Sequence, residues 1–315
     1  MEKPNYLKLI ETGEMEGRIK KFYKILKKCE LCPRKCYVNR LKGEMGICKA
    51  GKKITVSSFF PHFGEESVLV GNHGSGTIFL SKCNLRCVYC QNYEISHLGV
   101  GKEFSEKEVA EMMIELQNMK CHNINLVTPT HYASQLVKAI KIAGENELKL
   151  PIVWNCSGYE NVEVVKLLDG IVDIYMPDIK YGSNKGAVKY SLPPVFDYWD
   201  RCKEAVKEMH KQVGDLKIDE NNLAFRGLLI RHLVLPENIS ESENVLKFIS
   251  EISQNSFVNI MAQYRPEGEV LLKPDKYPEL NKRIIREDYE KVIKMALKLK
   301  LSRGLENINF LKNAD

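Results

Sequence analysis

From residue 76 onward, apolar residues along the chain follow two alternating spacings. Short apolar runs of strand length recur, and between them apolar residues follow the i, i+3, i+4, i+7 spacing of amphipathic helices. The six predicted strands are 77–80, 124–127, 152–154, 171–176, 228–235 and 257–261. Six strand–helix units in series predict parallel strands with right-handed crossovers, in an α/β fold that is either a partly closed barrel or an open doubly wound sheet.

The segments between these strands carry helix signals. Ser105 and Glu108 have the spacing of a capping box, in which each side chain bonds the backbone N–H of the other residue. Ser240 and Glu243 repeat that spacing ahead of a later helix. The insertion at 181–197 contains Ser-Leu-Pro-Pro and predicts an irregular loop. The predicted helices cover about residues 105–116, 134–143, 161–169, 199–212, 240–252 and 287–300.

The first 75 residues differ from the rest of the chain. A helical pattern at 15–28 leads into a segment rich in Cys, Gly, Lys and Arg, and a short β-like stretch follows at 54–60. Because this region supplies little core of its own, a bound metal would organise it. The predicted division is a Cys-rich region 1–75, a β/α domain 76–300 and a C-terminal tail 301–315.

Composition narrows the class of protein. Hydrophobic residues make up 44% and charged residues 28% of the 315 residues, as is ordinary for a globular protein. No apolar run approaches the ~20 residues that span a bilayer, and the N-terminus lacks the apolar segment of a signal peptide, so we expect a cytoplasmic protein with no membrane partner. The net charge of +6 is dispersed. It indicates a solvated, Lys-rich surface, and we expect no nucleic-acid partner.

The distribution of cysteines is more informative. A cytoplasmic protein keeps its thiols reduced, so clustered cysteines indicate metal ligands or reactive thiols. Three of the ten cysteines (Cys121, Cys156 and Cys202) are scattered and are expected to be small core residues. The other seven form two groups: Cys29, Cys32, Cys36 and Cys48, then Cys83, Cys87 and Cys90.

The second group has the spacing Cys83-x3-Cys87-x2-Cys90, directly after the first predicted strand. Three thiolates can ligate three irons of a [4Fe–4S] cluster. With no fourth cysteine close by, the fourth iron is left open to a further ligand. The structural alternative is a zinc site with His97 as its fourth ligand, since structural zinc takes four ligands.

This loop, with Tyr89 before its last cysteine, resembles the radical S-adenosylmethionine (SAM) superfamily. The strings LVTPTH, NCSGYE, DIYMPDIKY, EMHKQVG and RHLVLP are similar to an uncharacterised iron–sulfur branch of the pyruvate formate-lyase-activating-enzyme-like group, over residues 76–300. The resemblance implies a partial (β/α)6 barrel of radical SAM type with an N-terminal Cys-rich extension. It also implies that SAM chelates the open iron and is reductively cleaved to a 5′-deoxyadenosyl radical, which abstracts hydrogen.

The expected SAM contacts follow the strands, because parallel sheets bind ligands at their carboxyl ends. Asp178 and Lys180 resemble the Asp-x-Lys segment of activating enzymes, whose lysine approaches the methionine carboxylate. The same resemblance places Arg231 near the cofactor.

Other expected contacts come from earlier strands. Where such enzymes carry a Gly-Gly-Glu-type segment, this chain has Thr-Pro-Thr-His, and the hydroxyls of Thr128 and Thr130 would accept from the methionine ammonium. Asn155 and Ser157 suit a ribose or carboxylate, although the Ser-Gly pair there also suits a turn before a helix. Tyr89 would pack against adenine or under the cluster loop.

The first group, Cys29-x2-Cys32-x3-Cys36-x11-Cys48, supplies four ligands of its own. Four thiolates suit either a second [4Fe–4S] cluster or a zinc ion. A cluster would relay electrons or anchor a substrate, whereas zinc would be structural.

We therefore predict a radical SAM oxidoreductase of activating-enzyme type, with a flavodoxin or ferredoxin as electron donor and a protein or peptide as substrate. By resemblance that substrate is a glycyl residue of a partner protein, and another peptide or a small molecule stays open. The alternative is a non-catalytic iron–sulfur or zinc protein for redox sensing or electron transfer, which predicts no SAM site.

Overall fold

A nine-stranded sheet organises the chain, with helix-containing crossovers joining its parallel neighbours. The computed structural model describes residues 3–305, so most of the predicted tail at 301–315 lies outside the described residues. The strands are β1 (Ile54–His62), β2 (Ser75–Leu80), β3 (Lys102–Phe104), β4 (Ile124–Val127), β5 (Ile152–Cys156), β6 (Ile174–Pro177), β7 (Lys217–Ile218), β8 (Ala224–Leu233) and β9 (Phe257–Met261).

Six of these strands pair in parallel, in the order β2-β4-β5-β6-β8-β9. They confirm the six predicted β/α units. Antiparallel strands extend the sheet, since β1 pairs with β2, β3 pairs with β1, and β7 pairs with β8. Because β1 occupies the free side of β2, the parallel strands form a partial barrel, as expected, with their carboxyl ends on one side.

The helices lie between the strands at the predicted places. They are α1 (Asn5–Glu11), α2 (Glu14–Ile25), α3 (Ser67–Val70), α4 (Glu106–Asn118), α5 (Ala133–Glu145), α6 (Val162–Leu167), α7 (Asn184–Tyr190), α8 (Tyr198–Val213), α9 (Ser242–Ile252), α10 (Glu269–Leu272) and α11 (Arg286–Lys298). Among residues 3–305, no helix combines the length and apolarity needed to cross a bilayer.

The capping box at α4 is confirmed. The Ser105 hydroxyl accepts a hydrogen bond from the Glu108 N–H at 3.3 Å, and the Glu108 carboxylate accepts from the Ser105 N–H at 2.7 Å. The apolar face that follows is buried, from Val109 to Leu116, because its spacing directs those side chains onto the sheet.

Two local predictions are wrong. The insertion at 181–197 contains α7, because Ser183 caps that helix with its hydroxyl and the Pro pair comes only after it. Ser240 does not cap α9. Its hydroxyl accepts from the Leu235 N–H in the turn after β8, and the helix begins instead at Ser242.

The N-terminal region packs on the same core as the rest of the chain. The Tyr6 hydroxyl of α1 donates to the carbonyls of Leu148 and Leu150 at 3.1 Å each, and the Ser134 hydroxyl of α5 donates to the Phe22 carbonyl of α2. The predicted β stretch at 54–60 is β1, which belongs to the main sheet. Residues 5–62 therefore contact the rest of the domain in two ways: α2 bonds to α5, and β1 is itself a strand of the sheet.

Replacing Ser105 with Ala is expected to lower the free energy of unfolding by about 1 kcal/mol, since the substitution leaves an N-terminal N–H of α4 without its side-chain acceptor. Chemical denaturation followed by circular dichroism measures this. Ser250→Ala, inside α9, is the control and should be close to neutral. Equal stability of the Ser105 variant and the wild type would show that the cap does not contribute.

Candidate functional site

The carboxyl ends of the parallel strands surround a cavity of about 330 Å³. It is lined by the loop after β2 and by residues at the ends of β4, β5, β6, β8 and β9. Ten residues singled out from the sequence line it together: Cys83, Cys87, Cys90, Tyr89, Thr128, Asn155, Ser157, Asp178, Lys180 and Arg231.

The cysteine loop after β2 has a backbone that coils tightly. Lys82 and Arg86 both have positive φ, 75° and 55°, which non-glycine residues adopt mainly where surrounding structure imposes it. The Leu85 N–H donates to the Cys83 sulfur at 3.4 Å, and the Ser96 hydroxyl donates to the Cys90 sulfur at 3.1 Å. These donors hold the sulfur atoms in place along the cavity wall.

Burial favours the protonated form of two thiols in this loop. It raises the pKa of Cys83, and it raises the pKa of Cys87 to about 12. Both thiols therefore keep their protons at neutral pH until a metal displaces them, because the thiolate is the form that ligates.

A buried charge network forms the opposite wall of the cavity. Arg231 on β8 donates through Nε to Asp178 at 2.7 Å, through Nη1 to Glu65 at 2.9 Å, and through Nη2 to Asn155 at 2.8 Å. Lys180 Nζ donates to the second oxygen of Asp178 at 2.8 Å. One guanidinium thus fixes the ends of β5 and β6 relative to β8.

The two cations determine the ionisation of Asp178. Burial favours the neutral acid, but Arg231 and Lys180 outweigh it and hold the pKa of Asp178 below its ordinary value. Conversely, burial raises the pKa of Glu66, which lies 4.0 Å from Arg231 and bonds the amide of Asn259.

Glu65 is a site residue that sequence reasoning missed. It lies between β1 and α3, in the region assigned to the Cys-rich extension, and its carboxylate accepts from Asn125 at 2.9 Å and from Asn155 at 3.2 Å. The one sequence signal was Asn125 itself, a polar residue in a buried strand that requires a partner.

Ser157 lies in a turn and also faces the cavity. The next residue, Gly158, has φ +74°, and a side chain there would place a Cβ atom 2.9 Å from the Asp178 carbonyl oxygen, so the turn requires glycine. The Ser157 hydroxyl is buried and has no hydrogen-bond partner among residues 3–305. It is therefore available to a bound molecule.

Of three residues singled out from the sequence, one is buried behind the cavity and two pack against aromatic neighbours. Thr130 is buried behind the cavity, where its hydroxyl donates to Glu160 at 2.5 Å. His97 stacks on Tyr93 with ring centroids 4.5 Å apart, and burial lowers its pKa to about 4. Tyr89 lines the cavity and packs edge-on against Tyr181, which supports the packing interpretation of its ring.

A smaller cavity lies in the N-terminal region. Its wall includes all four cysteines of the first group, Cys29, Cys32, Cys36 and Cys48. Within the described part of the chain, no three His, Cys, Asp or Glu side chains meet the geometry for holding a metal ion. For both cysteine groups, which of the side chains bind a metal therefore stays a prediction.

Known proteins share parts of this sequence and of its architecture. Two uncharacterized proteins of Methanocaldococcus jannaschii are similar to this chain: one is 33% identical and covers 94% of this chain and 82% of the relative, and the other is 27% identical and covers 57% of each. Among solved structures, methylornithine synthase (PylB) has a TM-score of 0.44 at 15% identity, and native anSMEcpe with bound AdoMet has 0.40 at 16%.

These alignments span 70% and 66% of this chain, but only 60% and 61% of the two solved chains. The model of the radical SAM superfamily matches residues 77–249, more than half of the 315 residues, and this stretch contains the three-cysteine loop and the strand ends that face it. The chain therefore belongs to the radical SAM superfamily.

Proposed function

We propose that this radical SAM enzyme is of the activating-enzyme type and directs its radical to a glycyl residue of a partner protein. The observation that carries the radical chemistry is the convergence of three cysteines and a buried polar network on one cavity. The glycyl substrate is proposed from the resemblance to activating enzymes. The site has two features that suit such a substrate.

The first feature is an adjoining cavity of about 270 Å³. It shares Glu65, Arg231, Met261 and Gln263 with the main cavity, so a substrate segment has a route to the reacting centre. The second is Phe63, which neighbours the cavity-lining Gly64 and is 62% exposed. A large exposed apolar side chain beside a cavity suits contact with a protein rather than with water.

The residues present fit a [4Fe–4S] cluster and SAM. Three cysteines on one loop provide thiolates for three irons. Across the cavity, the carboxylates of Glu65 and Asp178 are matched by the cations of Lys180 and Arg231, so this wall offers charges of both signs to a ligand that carries a carboxylate, an ammonium and a sulfonium. When bound, the cluster and SAM supply one-electron cleavage of a carbon–sulfur bond, which generates the 5′-deoxyadenosyl radical.

The chain's own residues bind and orient. Asp178 fixes Lys180 by a single bond, which leaves the remaining Nζ protons for the methionine carboxylate. The Ser157 hydroxyl offers one further hydrogen bond. Tyr89 lines the cavity and is held there by edge-on packing against Tyr181 and Tyr264.

The electron comes from a reduced flavodoxin or ferredoxin. The net charge of +6 supports this partner, because a basic protein attracts an acidic electron carrier. The alternative of a non-catalytic redox protein explains neither the buried charges opposite the cysteines nor the unpartnered Ser157 hydroxyl.

Cys83→Ala is expected to abolish formation of 5′-deoxyadenosine, because two thiolates cannot hold the cluster with one iron open. The assay uses anaerobically reconstituted protein with dithionite and SAM, and liquid chromatography quantifies the product. Cys121→Ala, a buried cysteine outside both groups, is the matched control and should retain activity. Undiminished product from the Cys83 variant would contradict the assignment.

Ser157→Ala is expected to weaken SAM binding roughly five-fold, equivalent to about 1 kcal/mol, through the loss of one hydrogen bond. Its thermal stability should not fall, because no group in the described part of the chain bonds that hydroxyl. Equilibrium dialysis with SAM measures the affinity. Ser256→Ala removes another buried, unpartnered hydroxyl away from the cavity and should leave the affinity unchanged. Equal affinities for both variants would remove Ser157 from the site.

A glycyl substrate predicts deuterium transfer from labelled glycine. Source cells grown with glycine deuterated at Cα provide an extract, which is incubated with the reduced enzyme and SAM. Mass spectrometry should find deuterium in 5′-deoxyadenosine, and a matched extract labelled on alanine should give none. Unlabelled 5′-deoxyadenosine from the glycine extract would reject the glycyl substrate while leaving SAM cleavage intact.

A further inference from the structure

Arg40, in the Cys-rich segment, is a buried cation with no carboxylate partner among residues 3–305. Its side chain is 1% exposed, and its Nη atoms donate to the carbonyls of His131 at 2.5 Å and Gly51 at 2.6 Å. Across residues 3–305, its Nε–H has no acceptor and no acidic side chain lies within ion-pair distance of it. A buried charge is costly unless an anion compensates it, so this position requires negative charge nearby.

The groups beside Arg40 are the four cysteines of the first group. Arg40 lines the cavity that contains Cys29, Cys32, Cys36 and Cys48. Free thiols at neutral pH do not supply the missing negative charge, whereas thiolates bound to a metal do.

We propose that Cys29, Cys32, Cys36 and Cys48 bind a second [4Fe–4S] cluster and that Arg40 is its buried counter-charge, with the Nε–H donating to a sulfur atom of the centre. Neither assignment depends on the proposed function of the first site. The centre as a whole is an anion, since four thiolates outweigh the charge of the iron–sulfur core.

The wall of the cavity contains more than the four cysteines. A tetrahedral zinc ion is enclosed by its four ligands alone. Here seven other residues share the wall and can face the sulfur atoms of a cluster: Leu31, Arg34, Val38, Arg40, Gly46, Asn84 and His131. The wall is also close-fitting, because a Cβ atom at Gly46 would lie 2.8 Å from the Cys36 sulfur.

The position of this cavity also favours a redox centre. Asn84 is part of its wall, and it directly follows Cys83 of the second cysteine group. Arg34, between Cys32 and Cys36, donates through Nε to the Asn84 carbonyl at 3.0 Å. A structural zinc ion has no need to adjoin the ligands of an iron–sulfur cluster, whereas two clusters can exchange electrons there.

Metal analysis tests the site. Reconstituted wild-type protein is expected to hold about eight iron atoms per chain, and a Cys83→Ala/Cys87→Ala/Cys90→Ala variant about four, with equal acid-labile sulfide. Adding Cys29→Ala and Cys32→Ala to that variant should remove the rest, whereas adding Cys121→Ala should not. A triple variant without iron, or one that holds a single zinc lost with Cys29 and Cys32, would overturn the proposal.

The charge of Arg40 is tested in the same triple variant, where only the proposed cluster is present. Removal of a nearby positive charge disfavours reduction, so Arg40→Gln should shift its midpoint potential to more negative values in a titration followed by electron paramagnetic resonance. Arg40→Lys should restore most of the shift. The control is Arg18→Gln on α2. It removes a charge and the hydrogen bonds from Arg18 to the Lys166 and Leu167 carbonyls, and it should leave the potential unchanged.

A merely structural role for Arg40 predicts a different result. If Arg40→Gln loads the cluster at the wild-type potential, Arg40 is not the counter-charge. If Arg40→Gln fails to retain iron while Arg40→Lys and Arg18→Gln retain it, the requirement for positive charge is supported. Loss of iron from both Arg40 variants would instead attribute the residue's effect to its two carbonyl hydrogen bonds and overturn its role as counter-charge.

Discussion

The bonds of Arg231 determine the shape of the active site. One guanidinium joins β8 to the ends of β5 and β6 and to the segment before α3, through Asn155, Asp178 and Glu65. Removing one partner from a buried ion pair typically costs about 3–5 kcal/mol, because the other charge is left uncompensated. The strand ends therefore stay at fixed separation in a partial barrel that does not close, and the cavity between them keeps its form.

This constraint explains how two unlike walls face each other. The cysteine loop is a tightly coiled backbone segment in which burial raises the pKa of Cys83 and Cys87, and it gains charge when a metal binds. The opposite wall is already charged, and the Arg231 and Lys180 cations keep Asp178 ionised despite its burial. A ligand with both a carboxylate and cationic groups can then be held between a metal centre and a preorganised polar surface.

Sequence predicted the parts of this site better than their assembly. The alternation of strand and helix periods located six parallel strands, and the cysteine spacing located the loop after the first, because both signals are local. The sequence does not predict Glu65 as a site residue, because its role depends on contacts with Asn125 and Asn155, which are 60 and 90 residues away. The place of Thr130 after β4 predicts that it faces the cavity, but its hydrogen bond to Glu160 holds it behind the wall. The spacing of Ser240 and Glu243 predicts a cap, but the turn after β8 takes the Ser240 hydroxyl.

The central claim is that the cavity holds SAM against an iron that the three cysteines leave open. Electron–nuclear double resonance tests it most directly, using the reduced protein with SAM labelled by ¹⁵N at the methionine amino group. The account predicts a hyperfine coupling from that nitrogen to the cluster, and its loss in Cys83→Ala. A cluster spectrum that is unchanged by SAM, with no nitrogen coupling, would contradict it.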